Sequence, residues 1–170
     1  MIDSFSRFKR RLRGPQSSSC GTTRGAASSA LPLGQIVTQA NRVFCESALA
    51  GQYATLVCGQ AKPSGDVEIH NAGHWPAIIV GRSGVLRIES TGLPLGMFLE
   101  AEFSATWLQL EVGDTLFLYA DGLTGARSAG DEYGAERVTR LVRQQAARPP
   151  AELISACLDE LRAFVDGANA

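Results

Sequence analysis

The sequence predicts an α+β fold in which antiparallel strands are flanked by helices. A helical apolar pattern comes first, five or six short strand patterns follow, and two helical patterns come last. Turns rich in Gly, Pro, Ser and Asp join successive strands, which favours hairpins over the long crossovers of a doubly wound parallel sheet. These observations predict helices packed over antiparallel strands.

The three helices are predicted from apolar residues at helical spacing. The first begins at Pro32, which suits a first turn, and ends before Gly51. The second spans residues 135–147 and the third spans residues 151–165, with Pro149 and Pro150 between them. The third helix carries one broad apolar stripe, so it is strongly amphipathic.

The strands are predicted from short apolar or alternating runs between turn residues. The segment Gly81–Gly84 is a compact hairpin signal between two of these runs. The final run has five apolar or aromatic residues among its first six, which indicates a strand buried on both faces. The predicted strands cover residues 53–59, 67–72, 77–80, 85–88, 103–110 and 115–120.

Composition and charge describe a globular chain. It has 170 residues, of which 45% are hydrophobic and 19% charged, and a formal net charge of −1. This balance predicts neither nucleic-acid binding nor attraction to an anionic membrane. No run of about 18 apolar residues and no secretory signal are found, so we expect a cytoplasmic protein. Four cysteines lack C-x-x-C spacing: Cys20, Cys45, Cys58 and Cys157. Three of them lie in apolar helix or strand patterns and are predicted to be reduced core residues.

Two regions differ in composition. Residues 1–30 contain a basic cluster followed by small polar residues without periodicity, and we predict a solvated, mobile tail there. The cluster has no interleaved aromatic residues, so it does not indicate a nucleic-acid site. Residues 31–170 are predicted to form the folded domain.

A carboxylate follows the predicted 115–120 strand. Asp121 is placed at the tip of that strand, and Gly122 beside it has no side chain, which leaves room for a ligand or a metal ion. Aspartate also caps turns and following segments routinely. The spacing alone leaves both interpretations open.

Four segments in this order and spacing resemble the bacterial SpoIIE/RsbU-type serine phosphatases, a branch of the PPM (protein phosphatase 2C-like) family. The first ends a strand, the second forms a middle loop, the third contains Asp121, and the fourth introduces a helix. They are Asn71–Pro76, Gly92–Gly96, Gly113–Thr124 and Gly130–Arg137. The resemblance extends over about residues 31 to 168.

The resemblance implies a partial αββα sandwich of antiparallel sheets flanked by helices, the PPM-type fold. It also implies a two-metal site for Mn²⁺ or Mg²⁺ in which bound water attacks a phosphoserine or phosphothreonine. Asp121 matches a metal ligand of the family. Family members typically act on a phosphorylated protein partner such as an anti-sigma-factor antagonist.

The remaining metal ligands of the family are not matched. Its N-terminal Gly-Asp strand, its Asp-x-x-Gly-His-Gly segment and its final Asp-Asp pair have no counterpart in this sequence. Asp66 and Asp114 are predicted in turns, Asp159 in a helix, and the pair Asp131 and Glu132 as a helix cap. We therefore expect little or no activity from this chain.

Two alternatives to an active phosphatase remain open. The first is a non-catalytic interaction module, or pseudophosphatase, which holds a partner or a second copy through exposed strand edges. The second is a gene fragment, which the change of composition near residue 30 favours.

Other residues with chemical potential receive structural interpretations. His74 belongs to a strand-end turn and is predicted to be structural, whereas His70 is predicted to face solvent. Trp75 and Trp107 are predicted to pack in the core or at a sheet edge. No catalytic side chain is assigned, so Asp121 is the single predicted site residue.

Overall fold

The computed structural model describes residues 31–47 and 51–167. The predicted tail at residues 1–30, which includes Cys20, lies outside the described residues. The order of elements is α1 (Leu33–Ser47), β1 (Leu56–Ala61), β2 (Asp66–Ala72), β3 (Ala77–Gly81), β4 (Gly84–Ile88), β5 (Ala105–Gln109), β6 (Thr115–Phe117), α2 (Asp121–Thr124), β7 (Arg127–Ser128), β8 (Asp131–Glu132), α3 (Gly134–Gln145) and α4 (Pro150–Asp166).

Two three-stranded antiparallel sheets form the centre of the fold. The first has the order β1-β2-β5 and the second has the order β4-β3-β6. In the predicted hairpin between β3 and β4, Gly81 pairs with Gly84, and the two intervening residues form the turn. The small β7-β8 ribbon was not predicted.

Three apolar clusters show how the layers stack. Val67 and Ile69 of β2 pack against Ala77 and Ile79 of β3, so this cluster lies between the two sheets. On the outer face of the second sheet, Ile78 and Phe117 pack with residues of α3 and α4, including Val138, Leu141 and Leu153. On the outer face of the first sheet, Val37 of α1 packs with Ala72. The predicted αββα sandwich is therefore confirmed.

Strand β6 is shorter than predicted. Regular pairing covers Thr115–Phe117, whereas the prediction extended to residue 120. Leu116 packs on the cluster between the sheets and Phe117 on the cluster beneath α3 and α4. Both faces of the strand are thus covered, as the unbroken apolar run predicted.

The prediction that His70 faces solvent is wrong. His70 is only 3% exposed because α1 covers the outer face of the first sheet. A Cβ added to Gly34 of α1 would lie 3.2 Å from the imidazole Cε1, which shows how closely the helix approaches. The imidazole Nε2 lies 2.9 Å from a carboxylate oxygen of Glu68, two residues along the same strand. Period-2 alternation identified the correct face, but that face is buried.

The predicted helix cap at Asp131 and Glu132 is also wrong. Neither carboxylate caps α3. Instead, Asp131 accepts a hydrogen bond of 2.7 Å from the Arg137 guanidinium, which also donates to the Glu132 carbonyl at 2.6 Å. The hydrogen bond from Arg137 lowers the pKa of the Asp131 carboxyl. This ion pair joins β8 to the first turns of α3.

Two further findings concern the cysteine thiols and the lengths of the helices. Cys157 is buried in α4, while Cys45 and Cys58 are half-buried, and all three have free thiols. Among the described helices, none has the length and apolar character needed to cross a bilayer.

Candidate functional site

A shallow cleft of about 260 Å³ opens at one end of the sandwich. Its walls come from the segment before β1, the turn between β2 and β3, and the start of α2. The lining residues are Thr55, Gly73, His74, Trp75, Pro76, Ala120 and Asp121. Two of the four segments that carry the family resemblance therefore meet in one cleft.

Asp121 lies in this cleft because the residues after it are anchored in the core. Leu123 and Thr124 of the short helix α2 are buried, whereas Asp121 itself is exposed. A Cβ added to Gly122 would have no neighbour within 4 Å, so the space beside the carboxylate is open. The geometry suits a carboxylate that meets a ligand from solvent. Its role as a metal ligand stays a prediction.

The turn between β2 and β3 is held by a buried amide. Asn71 is 2% exposed, and its side-chain oxygen accepts a hydrogen bond of 2.9 Å from the His74 backbone N–H. Its side-chain nitrogen donates to the Trp75 carbonyl at 3.3 Å. One side chain thus closes the turn from both ends, as asparagine does in Asx turns.

The middle loop supports the same turn from behind. The Gly73 N–H donates to the Gly92 carbonyl at 2.9 Å, and Gly73 has a φ of +69°. A Cβ on Gly73 would lie 2.4 Å from Pro94, so only glycine fits there. Leu95 exchanges two backbone hydrogen bonds with Ala54, next to the lining residue Thr55.

The side chains of His74 and Trp75 are presented by this fixed turn. The His74 Nδ1 lies 3.4 Å from the Trp75 carbonyl, and the side chain is half-buried at the wall of the cleft. Trp75 is 40% exposed, and its ring centroid lies 6.4 Å from that of Tyr119. Burial raises the pKa of Tyr119, whose hydroxyl has no hydrogen-bond partner among the described residues.

A scan against protein-family models matches residues 16–170 to Stage II sporulation protein E (SpoIIE). The chain belongs to the SpoIIE family. The resemblance drawn from the four segments is thereby confirmed.

One curated relative is Protein IcfG of Synechocystis sp. (strain ATCC 27184 / PCC 6803 / Kazusa). It is 32% identical over 119 residues, which cover 68% of this chain and 19% of that protein. The chain thus spans about a fifth of the length of the curated relative that it matches.

Solved structures of SpoIIE-type and PP2C domains share the fold. The RsbU and RsbW domains of a Mycobacterium tuberculosis protein match with a TM-score of 0.66 and 24% identity, covering 81% of this chain and 39% of that one. The PP2C phosphatase domain of SpoIIE from Bacillus subtilis, with a fragment of its regulatory domain, matches with a TM-score of 0.67 and 17% identity, over 80% and 40%. The SiaA-PP2C domain of Pseudomonas aeruginosa matches with a TM-score of 0.59 and 17% identity, covering 71% of this chain and 49% of that one. At these identities the likeness shows the fold alone.

A SpoIIE-family domain raises the question of a metal centre, and the described residues do not fit one. Within residues 31–47 and 51–167, no group of three or more His, Cys, Asp or Glu side chains could hold an ion. Among the cleft-lining residues, Asp121 is the single carboxylate. A pair of Mn²⁺ or Mg²⁺ ions prefers several oxygen ligands.

Three other aspartates considered from the sequence lie outside the cleft. Asp66 accepts a hydrogen bond from the Ser64 hydroxyl, and Asp114 accepts one from the Glu111 N–H. Asp159 lies exposed in α4, 3.4 Å from Arg162. The structure brings none of them to the cleft. Asp114 lies in a turn and Asp159 in a helix, as predicted, whereas Asp66 is the first residue of β2 rather than part of a turn.

Sequence reasoning missed two contributors to the site. Thr55 was assigned to a strand, although it precedes β1 and lines the cleft. Asn71 was noted only as part of a motif. An asparagine near the end of a strand and two residues before a glycine is a turn signal, and that signal could have identified the role of Asn71.

Proposed function

We propose that this chain supplies the scaffold and the substrate-facing cleft of a metal-dependent protein serine/threonine phosphatase in the cytoplasm. The substrate class is a phosphorylated protein partner of the anti-sigma-factor antagonist type. Membership of the SpoIIE family supports this function. The observation that carries it to a site is the exposed Asp121 carboxylate in a cleft built from segments of the family resemblance.

Asp121 is proposed as one ligand of a metal ion, and the residues around it do not complete a dinuclear centre. The cleft has one carboxylate, Asp121, and this has a consequence for activity. We expect this 170-residue chain by itself to bind no pair of divalent ions tightly and to release little or no phosphate from a phosphoprotein.

Calorimetric titration with Mn²⁺ and phosphate release from p-nitrophenyl phosphate test this proposal together. The parent chain, Asp121→Asn and Asp159→Asn are compared. Asp159 is the matched control because its carboxylate is exposed in α4 and lies outside the cleft. We expect at most weak Mn²⁺ binding, which Asp121→Asn abolishes and Asp159→Asn leaves unchanged. Two tight Mn²⁺ sites, or robust turnover that depends on Asp121, would refute the carboxylate count.

A second candidate function is an interaction module that pairs with another copy of the chain. The observation that favours it is a large apolar side chain on each of two edge strands. Leu86 on β4 is 55% exposed and Trp107 on β5 is 64% exposed. Soluble proteins usually protect such edges with charges, proline or bulges.

Sedimentation equilibrium over a wide concentration range tests self-association. If the edges pair, the average mass rises with concentration, and Trp107→Lys or Leu86→Lys suppresses the rise. A charged change on an exposed helix position, Gln144→Lys, serves as the control. A parent chain that remains monomeric at high concentration would remove the support for this function.

A further inference from the structure

The β2–β3 turn that presents His74 and Trp75 to the cleft is held mainly by the Asn71 side chain. Asn71 bonds the His74 N–H and the Trp75 carbonyl, which are both backbone groups. The His74 Nδ1 lies 3.4 Å from the Trp75 carbonyl. The imidazole Nε2 and the exposed part of the indole are therefore the groups that can meet a ligand while the turn stays fixed.

The size and chemistry of the cleft limit what it can hold. A volume of about 260 Å³ lies just under the about 300–1,000 Å³ of pockets that enclose a drug-sized molecule. The cleft thus admits one side-chain-sized group and leaves the remainder of a partner on the surface. Two lining side chains carry nitrogen donors, the His74 imidazole and the Trp75 indole, and the lining includes no Lys or Arg.

Trp75 has the exposure of a contact residue. One part of its ring approaches the buried Tyr119 ring, and 40% of the residue is open to solvent at the cleft. A tryptophan held by a fixed turn loses little entropy on binding, and tryptophan is enriched among residues that dominate protein interfaces.

We infer that His74 and Trp75 are the specificity-determining residues of the Asp121 cleft. His74 donates a hydrogen bond to the phosphoryl group of a phosphoserine or phosphothreonine segment of a partner protein, and Trp75 packs against the residues beside it. The inference rests on the proposed function, since it names what the same cleft recognises. It does not depend on turnover, because binding of the phosphorylated segment precedes any chemistry.

The electrostatics give this inference a distinctive signature. Without a metal ion, the Asp121 carboxylate and a phosphoryl group bound in the same cleft carry like charges and repel each other. Asp121→Asn should therefore tighten metal-free binding, whereas His74→Ala should weaken it. If His74 were merely structural, retention of a donor in His74→Gln would not preserve binding.

The test uses the full chain with Trp107→Phe, which leaves Trp75 as the single tryptophan of the two in the sequence. The protein is titrated in EDTA with an alanine-based peptide that contains phosphoserine and, separately, with the same peptide without the phosphate. The fluorescence of Trp75 reports binding. We expect saturable binding of the phosphopeptide only. His74→Ala weakens it about tenfold, the loss of one charge-assisted hydrogen bond, and His74→Gln, which keeps a donor, retains most of it.

Asp121→Asn should tighten phosphopeptide binding about fivefold, and Asp159→Asn should leave it unchanged. Equal binding of the two peptides, no binding of either, or parental affinity in His74→Ala would overturn the inference. Because no metal is present, these outcomes are independent of the calorimetric and turnover results that test the proposed function.

Discussion

Removal of the Asn71 side chain should destabilise the protein and loosen the cleft at the same time. Asn71→Ala deletes one hydrogen bond at 2.9 Å to the His74 N–H and one at 3.3 Å to the Trp75 carbonyl, both made by a residue that is 2% exposed. Each such bond contributes about 1 kcal/mol net, and a donor left unsatisfied adds to the loss. We expect the free energy of unfolding to fall by about 2–3 kcal/mol.

The fold offers a matched control in a second buried asparagine. Asn41 of α1 accepts a hydrogen bond from the Gly96 N–H at 2.9 Å and donates to the carbonyls of Phe98 and Leu99. Asn41→Ala deletes three hydrogen bonds, so the same arithmetic gives a somewhat larger cost of about 3–4 kcal/mol. It lies outside the cleft lining, however, so it should leave the environment of the cleft unchanged.

Urea unfolding followed by circular dichroism gives both stability differences. Acrylamide quenching of Trp75, in the Trp107→Phe background, reports on the turn. We expect greater quenching in Asn71→Ala than in Asn41→Ala. The reasoning fails if Asn71→Ala costs less than about 1 kcal/mol, or if the two variants expose Trp75 equally.

Two further predictions concern close packing and pH. Gly73→Ala should destabilise the protein strongly because its Cβ would lie 2.4 Å from Pro94 at a φ of +69°, whereas Gly122→Ala, which meets nothing within 4 Å, should be nearly neutral in urea unfolding. Burial and then the Glu160 charge raise the pKa of the Cys157 thiol from 9.0 to about 11. A raised pKa favours the neutral thiol in the folded state, so stability should fall as pH rises from about 9 to 11; Cys157→Ala should flatten that part of the pH profile.

Local sequence patterns predicted the helices and strands. Which polar residues are buried depends on tertiary packing, that is, on which element lies over each face. The helices and hairpins follow from periods of 3.6 and 2 and from turn chemistry, which act within a few residues. His70 was misplaced because alternation only says that it points away from Ile69. In a sandwich with helices on both outer surfaces, the face away from the inter-sheet core is also buried. That covering depends on α1, whose residue Gly34 lies 36 positions before His70.

The candidate site shows the same division between local and non-local information. Asp121 could be located because the strand, the glycine and the motif around it are continuous in sequence. Its partnership with Thr55 and His74 depends on contacts between segments that are 47 to 66 residues apart. Hairpin patterns do not specify such distances. Only the folded chain shows which motif residues face the cleft and which ones, such as Asn71, hold it together.

The support of the cleft is independent of metal ligands, and this has a consequence for function. Gly92 lies where a Cβ would come within 2.8 Å of Phe103 and 2.9 Å of the Glu102 carbonyl, and Gly73 is packed against Pro94 in the same way. These close backbone approaches, together with the Asn71 hydrogen bonds, fix the turn through the protein alone. A cleft preorganised in this manner can bind a phosphorylated segment whether or not ions are present. Phosphopeptide binding and metal contact should therefore be separable properties of this chain, with His74 and Trp75 governing phosphopeptide binding and Asp121 governing metal contact.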